Sequence, residues 1–204
     1  MQDIAGFAAQ VRASSSGLSA RPIVLAGISW GGKLVMATAA RHPGLFDAIA
    51  LICPGLTPRV GVTLRERLGI AAAMLTGLAA RVTFPIPLAD PALFTADPEA
   101  QRFITSDPLS LRRGTAGLLA SSFFLDRMVR RAVRRVRQPA LLMLAGQDRI
   151  VDNARTRATF ERLASPSKRL IEYPEAHHTL EFEPDPARYA RDLAAWLDET
   201  LRRR

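Results

Sequence analysis

Ser29 stands at the centre of Gly27-Ile28-Ser29-Trp30-Gly31, a G-x-S-x-G pentapeptide. An apolar run rich in β-branched residues, Ile23 to Ala26, precedes it, and an apolar-periodic segment follows from Gly31. That order predicts strand, sharp turn and helix. A serine at the tip of such a turn is held clear of the sheet. Its neighbours two before and two after press against adjacent backbone, where glycine fits most cheaply. The helix aims its N-terminal amides and positive dipole end at the hydroxyl. A serine hydroxyl becomes a useful nucleophile when an imidazole takes its proton and a carboxylate orients that imidazole. Such groups are present further on: His177 and His178 share one loop, and Asp148 and Asp152 follow another apolar run. Covalent transfer through the serine is the chemistry that set would perform.

The elements that must position these groups alternate. Residues 3–18 are loosely helical, broken by Ser14-Ser15-Ser16-Gly17 and Arg21-Pro22. After the strand at 23–28, a helix runs from Gly31 to Arg41 and stops at His42-Pro43-Gly44, where the His42 imidazole can meet free carbonyls. Ala48 to Cys53 and Ala140 to Ala145 are unbroken apolar runs, the mark of strands buried on both faces. Arg169 to Tyr173 is a further strand. Helices at about 153–163, capped by Asp152, and from Asp185-Pro186 onward complete the pattern. Between them, residues 56–125 carry recurrent prolines and helical patches at Leu64–Ala80 and Thr115–Phe124, without strand alternation. Strands alternating with helices predict an α/β fold, a parallel sheet with helices on both faces. Reacting groups of such sheets gather at the strands' carboxyl ends, where Ser29, Asp148 and His178 all fall.

Composition narrows the function classes. A chain of 204 residues, 48% hydrophobic, can bury a sizeable core as about one domain. No apolar run reaches the roughly 20 residues of a membrane helix, and the start lacks a basic leader, so a cytoplasmic protein is expected. Cys53, the single cysteine, ends a buried strand as a small inert hydrophobe. The net charge of +9 is carried by arginine, densest from Arg127 to Arg137, where apolar residues at helical spacing predict a basic amphipathic helix. The favoured reading of that helix is a solvated face; contact with anionic lipid, a peripheral membrane contact, is the alternative. A nucleic-acid partner is not expected, because no stacking platform or binding motif accompanies it. With no metal-ligand cluster and no phosphate-cradling glycine loop, neither metal nor cofactor is expected.

Four segments carry a resemblance. They are Gly27-Ile28-Ser29-Trp30-Gly31-Gly32, Asp107-Pro108-Leu109, Gly146-Gln147-Asp148-Arg149-Ile150-Val151, and Ala176-His177-His178-Thr179-Leu180-Glu181-Phe182-Glu183. Together they resemble the C-terminal two-thirds of an α/β-hydrolase, of the monoacylglycerol lipase, lysophospholipase and serine aminopeptidase group. The resemblance implies Ser29 as nucleophile, the Trp30 backbone amide as one oxyanion donor and Asp148 as the acid. The pattern A-x-H-x-L-x-x-E selects His178 as the base over His177, and Asp152 is the rival acid. Asp107 is expected to be structural. It further implies partial core at 1–55, a helical cap at 56–125 and the rest of the core at 126–204. The implied substrate is a small-molecule carboxylic ester; Leu75, Leu78, Phe84, Phe94, Phe103, Phe123 and Phe124 of the insertion suit an apolar acyl chain or, equally, a core.

Relative to that family the chain lacks the N-terminal strands and the loop that supplies a second oxyanion amide. The alternative expectation is therefore a catalytically impaired fragment, completed by missing strands, by a partner or by a neighbouring copy in a homo-oligomer.

Overall fold

The computed structural model describes residues 1–14 and 21–202. The helix expected at 3–18 is α1, Gln2–Ser14; the remainder of that expectation, and Arg203 and Arg204, lie outside the described residues. Strand β1, Val24–Ile28, leads through Ser29 into α2, Trp30–Arg41, and β2 follows at Ala48–Ile52. The later core elements are β5, Ala140–Ala145, α6, Asn153–Glu161, β6, Lys168–Tyr173, and α7, Arg188–Arg202. The four strands pair in parallel in the order β1-β2-β5-β6. Every carboxyl end therefore opens on one rim.

The alternation of side chains along the buried strands divides the core in two. Ile49, Leu51, Leu142 and Leu144 face the helices α2 and α6 and the C-terminal half of α5, Ala116–Ala132, through Val35, Met36, Phe160 and Val129. Ala48, Ala50, Leu141 and Met143 point to the opposite face, where Trp196 of α7 seals them. Each large aliphatic side chain so buried contributes about 1.5–3 kcal/mol relative to exposure. No described helix is long and apolar enough to cross a membrane.

Between β2 and β5 lie α3, Leu64–Leu75, and α4, Pro98–Ser106, with a third cluster formed by Ile70 and Ala73 of α3 against Ala116 and Ala120 of α5. Thr63 and Glu66 close a capping box at the start of α3. Two features depart from expectation. A short antiparallel pair, β3 Thr83–Pro85 and β4 Arg113–Thr115, stands where no strand is expected. Three residues are too few to show an alternating pattern, and Pro85 and Gly114 disguise them further. The helical patch at 115–124 and the arginine helix are one element for most of their length, because α5 runs unbroken to Ala132 and passes into a 3-10 turn at Val133–Arg135. The helix expected over 64–80 stops at Leu75, where Gly77 takes a positive φ of 75°. His42 caps α2 with its backbone N–H on the Thr38 carbonyl, but its ring Nε2 finds no hydrogen-bond partner, contrary to the expected contact with free carbonyls.

Candidate active site

Ser29 occupies the N-cap position of α2 with φ 49° and ψ −119°. A serine in that position usually adopts extended backbone and caps the helix with its own hydroxyl. Here the left-handed backbone turns the side chain away, and Oγ makes no capping bond. It lies instead 2.8 Å from Nε2 of His178. The turn is held by the Ser29 N–H donating to the Ile52 carbonyl and by the Gly32 and Gly55 N–H groups donating to the Ser29 carbonyl. Close packing explains Gly27 and Gly32 but not Gly31, where an added Cβ would meet nothing within 4 Å, contrary to the crowding expected two residues after the serine. A Cβ at Gly27 would come within 2.6 Å of the Gly31 carbonyl oxygen, and one at Gly32 would collide with Pro54. Such contacts fix the strained backbone from both sides.

His178 sits after β6 and is 3% exposed. Its Nδ1 is 2.7 Å from Asp148 Oδ2. With the carboxylate on that side, the neutral ring carries its proton on Nδ1 and leaves Nε2 free to accept from Ser29, a tautomer assigned from the hydrogen-bond network. The other Asp148 oxygen accepts the N–H groups of Ile150 and Val151, both at 2.8 Å. Asp148 is thus clamped by its own loop while its second oxygen orients the imidazole. The Gly146 turn that delivers it packs against Pro174, where a Cβ would overlap the carbonyl oxygen. Phe94 meets the His178 ring edge-on at 6.1 Å, and its carbonyl accepts the Thr179 N–H, so the segment between β2 and β5 reaches the imidazole directly.

The rival groups stand elsewhere. Asp152 caps α6 through the Arg155 N–H. His177 faces away, with Nδ1 3.2 Å from Glu183, whose same oxygen accepts the His177 N–H at 2.7 Å. Asp107 ends α4 and accepts the Leu109 N–H, a turn contact. Cys53, beside the site with φ 41°, is buried, and burial followed by the nearby Asp148 charge pushes its thiol well up from the usual range. As the first residue of α2, Trp30 has a backbone N–H without an intrahelical acceptor, beside the serine. Sequence reasoning missed one neighbouring group: Lys33 is 5% exposed and pairs with Asp126 at 2.7 Å. A lysine on an otherwise apolar helix face was its one sequence signal.

A doubly flanked parallel sheet with a serine at a strained strand-to-helix turn, and acid and histidine on later rim loops, defines an α/β-hydrolase. The family model described as Hydrolase_4, serine aminopeptidase, S33, matches residues 1–185, and the chain belongs to that family. A monoacylglycerol lipase of Mycolicibacterium smegmatis is 28% identical over 178 residues, covering 86% of this chain and 62% of that protein. The monoglyceride lipase of Homo sapiens is 29% identical over 170 residues, covering 79% and 53%. The chain thus spans between about half and three-fifths of the length of these relatives. Among solved structures, Paleococcus ferrophilus monoacylglycerol lipase superposes with a TM-score of 0.80 at 22% identity, covering 98% of this chain and 75% of that one. A soluble variant of the Saccharomyces cerevisiae monoglyceride lipase, in complex with a substrate analog, also gives 0.80, at 19% identity and covering 98% and 68%. These structures share the fold.

Proposed function

We propose that this chain hydrolyses carboxylic esters of the monoacylglycerol type through a serine-bound acyl intermediate. The observation that carries the reading is the unbroken line from Ser29 Oγ to His178 Nε2 and from His178 Nδ1 to Asp148. Ser29 Oγ attacks the ester carbonyl carbon while its proton passes to Nε2, and the Trp30 N–H receives the developing oxyanion. As the tetrahedral centre collapses, the bond to the alcohol oxygen breaks and His178 returns the proton to that oxygen. Water then adds to the acyl-serine, giving its proton to His178, and the acid leaves as Ser29 recovers a proton. Asp148 holds the tautomer and stabilises the imidazolium throughout.

An apolar acyl substrate suits the segment 56–125, which we read as the cap. It contributes Phe94 to the His178 ring and presents Phe103, Phe123 and Phe124 near the surface, each 59% exposed. The names of the similar lipases favour a glycerol ester over a peptide. The test is fatty-acid release from monoacylglycerol dispersions by the full chain beside its Ser29→Ala variant. Release abolished by the substitution supports the reading; release that survives it, or none from either protein, contradicts it.

A further inference from the structure

The cluster of buried Lys33, half-buried Asp126 and Ser122, and exposed Trp30 has no part in the proton transfers, yet it grips the turn that carries the nucleophile. Lys33 lies four residues after Ser29, and its Nζ is 2.7 Å from Asp126 and 3.4 Å from Ser122 Oγ. The Trp30 indole Nε1 donates to the same Ser122 Oγ at 3.0 Å. Two side chains of the first turn of α2 thus converge on two residues one turn apart on α5. Helix α5 is itself divided: its N-terminal half packs against α3, and its C-terminal half packs on the sheet core. Ser122 and Asp126 sit where the two halves meet.

Stability alone is a poor account of this arrangement. A cation in the first turn of a helix opposes the helix dipole, and lysine is seldom buried. Buried ion pairs are often no better than well-packed apolar residues of the same volume, whereas removing one partner is costly. What the pair offers is geometry. The side chain of Lys33 runs past Gly55, whose N–H donates to the Ser29 carbonyl, and Trp30 supplies the amide beside the serine. We infer that Lys33 and Ser122 are positioning residues. They lock the first turn of α2 to α5, so that the Trp30 amide and Ser29 hold the direction that the cap helix dictates. This inference rests on the hydrolase reading for its kinetic consequence, though not for its structural one.

The test compares wild type, Lys33→Met, Lys33→Arg and Ser122→Ala in the full chain, with turnover expressed per fluorophosphonate-titrated serine so that misfolded molecules do not count. Misplacing a reacting group slightly is costly in rate. Lys33→Met and Ser122→Ala are expected to lower kcat about tenfold or more with KM within twofold, and Lys33→Arg to recover most of the loss. Hydrogen–deuterium exchange at the amides of residues 30–33 should quicken in the first two variants while α7 keeps its protection. Unchanged kcat per titrated site together with unchanged local exchange overturns the inference, even if both variants melt earlier. A wild type that neither labels nor turns over contradicts the hydrolase reading instead, and the exchange pattern alone then decides whether the lock exists.

Discussion

His178 Nε2 meets Ser29 Oγ at 2.8 Å across 149 positions of sequence, on the rim that the carboxyl ends of β1 and β6 share. That contact depends on two acids being told apart. Asp148 reaches the imidazole, whereas Asp152 caps a helix. Asp148→Asn is expected to lower the hydrolytic rate by about 10³–10⁴ with little change in melting temperature, since an amide supports the wrong tautomer. Asp152→Ala should leave the rate within a fewfold of wild type and cost about 1 kcal/mol of stability through the lost cap. Steady-state rates and thermal melts of the two variants check both halves.

Glycine at position 32 is a steric requirement rather than a source of freedom. An added methyl group would overlap Pro54, which belongs to the loop after β2. Gly32→Ala is expected to push α2 away from that loop and destabilise the fold by about 1–3 kcal/mol. Gly61→Ala, where a Cβ meets nothing within 4 Å, should be close to neutral. Chemical denaturation of both proteins compares them.

The thiol next to the site is expected to be silent. Burial raises the Cys53 thiol, and the neighbouring Asp148 charge raises it further. The thiolate population at pH 8 is then negligible. Iodoacetamide at pH 8 should leave the folded protein unmodified and fully active, and should alkylate Cys53 only in denaturant. Mass spectrometry before and after unfolding reads the outcome.

Alkaline pH should act through Tyr173. Burial, followed by its hydrogen bond to Asp192 at 2.8 Å, raises the phenol above its ordinary value of 10.0. A group whose folded pKa exceeds its unfolded one adds stability that is complete below the unfolded value and is lost as pH rises through the folded one. Stability should therefore fall above about pH 10, and Tyr173→Phe should flatten that fall. Tyrosine absorbance titration alongside denaturation at pH 9 and pH 11 measures it.

Much of this architecture is written locally. Ala48–Ile52 and Ala140–Ala145 read as doubly buried strands because both faces of a parallel sheet are covered, which leaves an unbroken apolar run. The serine turn shows because Gly27 and Gly32 answer to backbone packed within a few residues or on the next strand's loop. Other features answer to partners far along the chain. Lys33 finds Ser122 across 89 positions, and neither residue type announces the other. The β3–β4 pair is too short to carry a period, and α5 changes its buried face midway, so the Thr115–Phe124 and Arg127–Arg137 segments resemble two helices. His177 and His178 are separable in space by Glu183, which takes the first and leaves the second to Asp148.

The most direct measurement is the site of covalent capture. After incubation of the full chain with a fluorophosphonate, peptide mass spectrometry should find the phosphonyl group on Ser29. Labelling should be lost in Ser29→Ala and slowed by about 10³ or more in His178→Ala. No adduct on wild type, or an adduct that persists elsewhere when position 29 is alanine, would contradict the assignment of Ser29 as nucleophile.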